Sequence, residues 1–148
     1  MDKVSEITIS YRPPRSLSKS PIVRSSRDAY MAMIPHFNSS TIAIQEQFVI
    51  CYLTRSNQIK GIFPGFVGGI SGTVVDIRII LAVALKSGSS AIILAHNHPS
   101  GNTSASETDK MLTSKIKAAC ETMDIQLLDH LIISPLNTYM SFADEGLL

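Results

Sequence analysis

The sequence predicts an α/β fold of the α+β type, in which a mixed and curled β-sheet is flanked by helices. Uninterrupted apolar runs of strand length, such as residues 91–95, are typical of strands that are buried on both faces. Apolar residues recur at helical spacing in other segments, such as residues 77–85. The chain has 148 residues, of which 45% are hydrophobic and 17% charged, and this is enough for one domain with its own core.

The individual elements have recognisable boundaries. Residues 7–11 alternate between apolar and polar side chains, as expected of a strand. Asp76 is a typical N-terminal cap of a helix, and Gly88 is a typical C-terminal cap. Glycines at 68, 69 and 72 indicate a bend or bulge beside the sheet. The sequence further predicts helices over 25–37, 77–85 and 106–123, strands over 48–54, 59–66, 91–95, 125–134 and 137–142, and a hairpin turn at 55–58.

These elements are predicted to form a single unit. Residues 1–24 supply an N-terminal strand and a proline-containing basic arm, and residues 25–148 form the domain that carries the candidate site. The longest apolar run, around residues 77–85, is too short to span a bilayer, and the N-terminus does not read as a signal peptide. Cys51 and Cys120 lie far apart in the sequence, which is typical of thiols in a reducing compartment. We therefore expect a cytoplasmic protein without a membrane segment.

A candidate metal site follows directly after the apolar run at 91–95. Side chains alternate along a strand, so His96 and His98 fall on one face if the chain stays extended. Asp109 would join them from the first turn of the next helix. Two imidazoles and a carboxylate suit a borderline ion such as zinc, and three protein ligands leave a fourth tetrahedral position open for water. An open position of this kind is what hydrolysis requires.

Ser106 is the predicted cap of the helix that carries Asp109. With Ser106 as the cap, Asp109 is the third helical residue, where the helix dipole favours a carboxylate. Taken by themselves, the residues leave two roles open for Ser106, helix capping and catalysis. Glu107 in the same turn is also favoured by the dipole, and it needs no catalytic role.

The spacing of these residues points to a family. His96-x-His98, seven residues, Ser106, two residues and Asp109 together resemble the metal-binding signature of the JAMM (JAB/MPN) metalloprotease superfamily. The surrounding blocks His-Asn-His-Pro-Ser-Gly-Asn at 96–102, Leu-Asp-His-Leu-Ile-Ile at 128–133 and the ending at 141–148 resemble its RadC branch. The resemblance implies a JAB/MPN-like, cytidine-deaminase-like fold in a short form that lacks the N-terminal helix-hairpin-helix-like segment.

The resemblance also implies a mechanism. The superfamily uses an upstream glutamate as the proton acceptor for the attacking water, and Glu46 in Glu46-x-Phe48 matches the E-x-F that opens a strand in RadC relatives. His96, His98 and Asp109 would bind one zinc ion per chain. Ser106 would donate a hydrogen bond to the developing oxyanion. The implied substrate is a peptide, an isopeptide or a small amide.

A second hypothesis remains open at this point. RadC proteins carry a historical DNA-repair label, so the chain is alternatively a nucleic-acid-associated accessory protein in repair or recombination whose metal is mainly structural. A net charge of +1 supplies no general attraction to nucleic acid. The sequence also leaves open a homodimer and the choice of zinc over other divalent metals. The basic residues for a weak nucleic-acid contact are Arg12, Arg15, Lys19, Arg24 and Arg27.

The sequence argues against a deaminase and against a ligand role for His130. A zinc deaminase needs a closely spaced pair of cysteines as ligands, and this chain has only Cys51 and Cys120. His130 follows Asp129 within an apolar segment. We expect it to be a half-buried histidine, oriented by a neighbouring acid, rather than a ligand or a catalytic base.

Overall fold

A five-stranded mixed sheet forms the centre of the computed structural model, which describes residues 4–69 and 72–148. Its strands are β1 (Gln47–Leu53), β2 (Ile59–Val67), β3 (Ala91–Asn97), β4 (Gln126–Ile133) and β5 (Tyr139–Ser141). Their order in the sheet is β2-β1-β3-β4-β5. Among these described strands, only β3 and β4 pair in parallel, and the other neighbours are antiparallel. The predicted mixed sheet is therefore confirmed.

In the described part of the chain three α-helices flank this sheet, and a side chain caps the N-terminus of each. They are α1 (Ser26–Met33), α2 (Ile77–Ser87) and α3 (Glu107–Thr122). Asp76 accepts a hydrogen bond from the backbone N–H of Arg78 at the start of α2, and Gly88 ends α2 in the left-handed conformation, with φ of 61°. The helix predicted over 25–37 continues beyond α1 only as a short 3-10 turn, Ile34–His36, because Pro35 has no N–H to offer.

The core lies on both faces of the sheet. Every residue of β1 and β3 is buried, as expected for central strands that are covered on each side. One face packs against α1, and the other packs against α2 and α3. The first face is represented by Val49, Cys51, Ile93 and Leu131 beneath Ala29 and Met33, and the second by Ile50, Tyr52 and Leu94 beneath Ile80, Ala84 and Ile116.

The strand predicted at residues 7–11 is wrong. These residues follow an irregular path, and the side chains of Ile7 and Ile9 are 87% and 71% exposed. The Tyr11 hydroxyl donates a hydrogen bond to the carbonyl of Lys60, at 3.2 Å. Alternation of apolar and polar residues becomes a strand only where a neighbouring strand accepts its backbone hydrogen bonds. Residues 1–3 of the predicted arm and residues 70–71 of the predicted glycine bend lie outside the described residues.

Asn97 ties the end of β3 to the segment that precedes β1. Its side chain is fully buried, and it alternates along the strand with His96 and His98. The Asn97 Oδ1 atom accepts a hydrogen bond from the backbone N–H of Gln47 at 2.6 Å. Its Nδ2 atom donates to the carbonyls at positions 42 and 45, at 2.7 and 2.9 Å. Three hydrogen bonds from one side chain therefore fix the backbone on either side of Glu46.

In residues 4–69 and 72–148, no helix is long and apolar enough to cross a membrane.

Replacing Asn97 by leucine tests this tie. Leucine has a similar size but would leave one buried N–H and two carbonyls without their partner, and one such group costs about 1–3 kcal/mol. We expect Asn97→Leu to lower the free energy of unfolding by at least that much in urea denaturation followed by circular dichroism. Asn102→Leu, which loses only an exposed hydrogen bond to the Ser104 N–H, should cost far less. Equal stability of the two variants would contradict the role assigned to Asn97.

Candidate metal centre

Two histidines and one aspartate converge where β3 ends and α3 begins. His96 is the penultimate residue of β3, and the backbone N–H of His98 still donates to the carbonyl of Ile133, so the chain continues alongside β4. The Nε2 atoms of the two histidines are 3.0 Å apart. The Oδ1 atom of Asp109 lies 3.2 Å from Nε2 of His96, and the Oδ2 atom of Asp109 lies 3.2 Å from Nε2 of His98. The sequence predicts that these three residues lie together, and in the structure they do.

This triangle of atoms fits a divalent ion. Zinc with nitrogen and oxygen ligands at roughly 2.0–2.1 Å separates neighbouring ligand atoms by about 3.3 Å in a tetrahedron. The Nδ1 atom of His98 lies 2.6 Å from the carbonyl oxygen of Asn102, which can only accept a hydrogen bond. Nδ1 of His98 therefore carries a hydrogen, and the neutral ring offers the lone pair of Nε2 to the centre. The three residues could hold a metal ion.

The electrostatics of the cluster favour an ionised carboxylate. Burial alone would raise the pKa of Asp109, but His96 and His98, when their Nε2 atoms are protonated, donate hydrogen bonds that outweigh burial and hold this pKa well below its usual range. The hydrogen bond to Asp109 is also the largest cause of the raised pKa of His98, and the negative charge of Glu46 adds to it. The site thus combines negatively charged carboxylate groups with two imidazole rings, and this combination suits a cation.

The cluster opens onto a cleft of about 520 Å³, and this cleft contains the other two predicted site residues. Glu46 lies half-buried just before β1, and Ser106 lies directly before α3. The backbone carbonyl of Glu46 accepts hydrogen bonds from the N–H of Gly68 and the hydroxyl of Thr73, at 2.8 and 3.1 Å. The cleft thus gathers all five residues, whereas the chemical roles of Glu46 and Ser106 stay predictions. Its apolar lining includes Phe48, Val75, Pro99 and Leu112.

Ser106 caps α3 and at the same time holds the candidate ligand Asp109 in place. Its hydroxyl accepts a hydrogen bond from the backbone N–H of Asp109 at 3.0 Å, and its own N–H donates to the Asp109 Oδ2 atom at 2.9 Å. This reciprocal pair is a capping box. It fixes the Asp109 side chain against the helix end, and no acceptor among residues 4–69 and 72–148 takes the hydrogen of the Ser106 hydroxyl.

His130 departs from the sequence-based expectation. It is completely buried, not half-buried, and its Nε2 atom lies 2.7 Å from Nδ1 of His96. The neighbouring Asp129 does not orient the ring, because its carboxylate binds the backbone N–H groups of His130 and Ala143 and the hydroxyl of Ser141. Burial lowers the pKa of His130 well below its usual value. The signal in the sequence that could have indicated a role for His130 is the polar pair Asp129-His130 within an otherwise apolar strand.

The basic residues of the N-terminal arm do not belong to the described lining of this cleft. All five of these residues are exposed. Nucleic-acid binding through this arm stays a prediction. The five residues are Arg12, Arg15, Lys19, Arg24 and Arg27.

Comparison with known proteins gives a consistent result. The model of the RadC-like JAB domain family matches residues 23–147. A "UPF0758 protein" of Flavobacterium johnsoniae is 41% identical over 125 residues, which are 84% of this chain and 53% of that relative. A "UPF0758 protein" of Porphyromonas gingivalis is 39% identical over 136 residues, 92% of this chain and 59% of the relative. In "UPF0758 protein YfjY" of Escherichia coli the identity is 42% over 104 residues, 70% of this chain and 64% of the relative.

The chain thus spans between about half and two thirds of the length of these three relatives. The family match includes every strand and helix that builds the candidate metal centre, together with Glu46, His96, His98, Ser106 and Asp109. On the strength of this match and of the mixed sheet that carries it, the chain belongs to the RadC-like JAB domain family.

Proposed function

We propose that this protein is a zinc-dependent metallopeptidase or amide hydrolase that acts on a peptide, an isopeptide or a small amide. The observation that carries the proposal is the convergence of two imidazole nitrogens and one carboxylate at a cleft that also contains Glu46. Three protein ligands suit a catalytic ion, which keeps one position open, better than a structural ion, which is enclosed by four. A cytoplasmic location is part of the proposal, and the two free, buried cysteines support it.

Each residue of the cleft has a separate role in the proposed amide hydrolysis. A zinc ion held by His96, His98 and Asp109 would supply Lewis acidity and lower the pKa of a coordinated water toward about 7. Glu46 takes the proton of the attacking water and returns it to the departing amine, which is a poor leaving group until it is protonated. The Ser106 hydroxyl donates a hydrogen bond to the carbonyl oxygen as negative charge develops there.

The charges of the cleft favour an amide over a phosphodiester. Its described lining contains the carboxylates of Glu46 and Asp109 and no lysine or arginine. A phosphodiester would therefore meet negative charge without the basic side chains that usually bind phosphate. An amide is neutral, and the apolar side chains of Phe48, Val75 and Leu112 suit the flanking parts of a peptide. This contrast supports hydrolysis of an amide rather than of nucleic acid.

Metal content tests the centre directly. We expect the protein purified without chelators to contain about one zinc per chain by elemental mass spectrometry, and Asp109→Ala to lose it because only two neutral ligands remain. Glu107→Ala removes an exposed carboxylate from the same helical turn and should keep the metal. Protein that neither contains zinc nor takes it up would refute the proposed function.

Glu46→Gln separates chemistry from metal binding. The amide is close in size but cannot accept the proton, so we expect zinc content to stay the same and kcat to fall by about 10²–10⁴. The measurement is turnover of the best substrate from a peptide and isopeptide panel. Glu145→Gln, an exposed acid at the other end of the chain, serves as the control. Loss of zinc in Glu46→Gln would contradict its assignment as a proton acceptor.

Substitutions at Ser106 distinguish capping from catalysis. Ser106→Ala should cost about 0.5–2 kcal/mol of stability, whereas Ser106→Gly should cost only about a few tenths, because glycine is a tolerated cap. Both variants lack the hydroxyl, and we expect both to lose kcat by about 10²–10³. Thermal unfolding and kcat are measured side by side. If kcat followed stability, with Ser106→Gly close to wild type, Ser106 would be a cap alone.

A further inference from the structure

His130 lies in a continuous line of hydrogen bonds behind the metal centre. Its Nε2 atom is 2.7 Å from Nδ1 of His96, and its Nδ1 atom is 2.6 Å from the hydroxyl oxygen of Thr113. That hydroxyl lies 2.7 Å from the backbone carbonyl of Asp109. The line therefore begins at one candidate ligand, His96, and ends at the backbone of another, Asp109.

The surrounding fold encloses this line of hydrogen bonds. His130 pairs with Leu94 in the parallel register of β3 and β4, which puts its ring one strand away from His96. The ring stacks on Phe142 with centroids 4.8 Å apart, and Phe48 meets it edge-on at 5.7 Å. Thr113 is one helical turn after Asp109 and is 3% exposed. Both polar side chains are therefore shielded from bulk solvent.

The chemistry of the groups fixes the direction of each hydrogen bond. The Asp109 carbonyl can only accept, so the Thr113 hydroxyl donates to it and has only lone pairs left for His130. Nδ1 of His130 must then carry a hydrogen. The 2.7 Å contact between Nε2 of His130 and Nδ1 of His96 needs one donor and one acceptor, and a neutral His130 ring with its single hydrogen on Nδ1 supplies the acceptor. Nε2 of His130 is therefore an acceptor, and Nδ1 of His96 is its donor.

We propose that His130, held by Thr113, is a positioning residue that fixes His96 in the Nδ1–H tautomer and thereby directs the Nε2 lone pair of His96 into the metal centre. The inference rests on the metal site of the proposed function and assigns to that site an outer partner. Hydrogen bonds of this kind orient a ligating histidine and increase its basicity, and their loss typically costs 10–100-fold in metal affinity. A role in packing alone does not need the polar ring, because phenylalanine would fill the same space without burying two nitrogens.

Two substitutions of His130 distinguish positioning from packing. In His130→Gln, the side-chain carbonyl can reach the place of Nε2 and still accept from His96, whereas His130→Phe fills the space without an acceptor. We expect His130→Phe to weaken zinc binding by about 10–100-fold, measured by competition with a chromophoric chelator. His130→Gln should recover most of this loss. His36→Phe makes the same change at an exposed histidine and should leave the zinc affinity unchanged.

The tautomers provide a test that does not depend on a variant. Long-range ¹H–¹⁵N NMR of the unmodified protein should show His130 protonated at Nδ1, the tautomer that free histidine populates less. A proton on Nε2 of His130 would overturn the inference, and this readout remains valid if His130→Phe fails to fold. If the wild type binds zinc and a folded His130→Phe variant binds it with the same affinity, this inference alone is overturned. Failure of the wild type to bind zinc would overturn the proposed function and, with it, the effect on affinity.

Discussion

The parallel pairing of β3 with β4 is the constraint on which the candidate metal centre depends. A parallel pair needs a crossover connection, and here α3 forms it. The crossover begins where β3 ends, so the first turn of α3 is brought beside the last residues of the strand. Asp109 meets His96 and His98 for this reason, although the acid and the histidines lie on different elements. The same pairing places His130 of β4 next to His96.

Alternation along one strand end allows β3 to serve two purposes. His96 and His98 face the cleft, where their Nε2 atoms lie 3.0 Å apart. Asn97 lies between them and binds the backbone on either side of Glu46 through three buried hydrogen bonds. Three consecutive residues thus contribute two candidate ligands and the tie that fixes the segment of the predicted base. Their spacing is a direct result of the two-residue period of a strand.

The helix cap and the candidate metal site share atoms at the start of α3. The Asp109 carboxylate accepts the Ser106 N–H as part of a capping box and also faces both histidines. One turn later, the Thr113 hydroxyl binds the Asp109 carbonyl and His130. The stability of this helix end and the geometry of the centre therefore cannot be varied independently. Burial of His130 and Thr113 is tolerated because each of their polar atoms has a partner.

The sequence by itself determined most elements of this fold and the three candidate ligands. Buried strands, caps such as Asp76 and Ser106, and the His-x-His spacing are local patterns, and local patterns persist in the folded chain. It also predicted a strand at residues 7–11, which did not form, because a strand requires a partner that the sequence does not display. The contact of His130 with His96 and the presence of Glu46 in the same cleft were likewise decided by tertiary structure. The Asp-His pair at 129–130 and the Glu46-x-Phe48 motif mark the two residues locally. Their positions at the centre depend on how β1, β3 and β4 pair, and no local pattern specifies the pairing of distant segments.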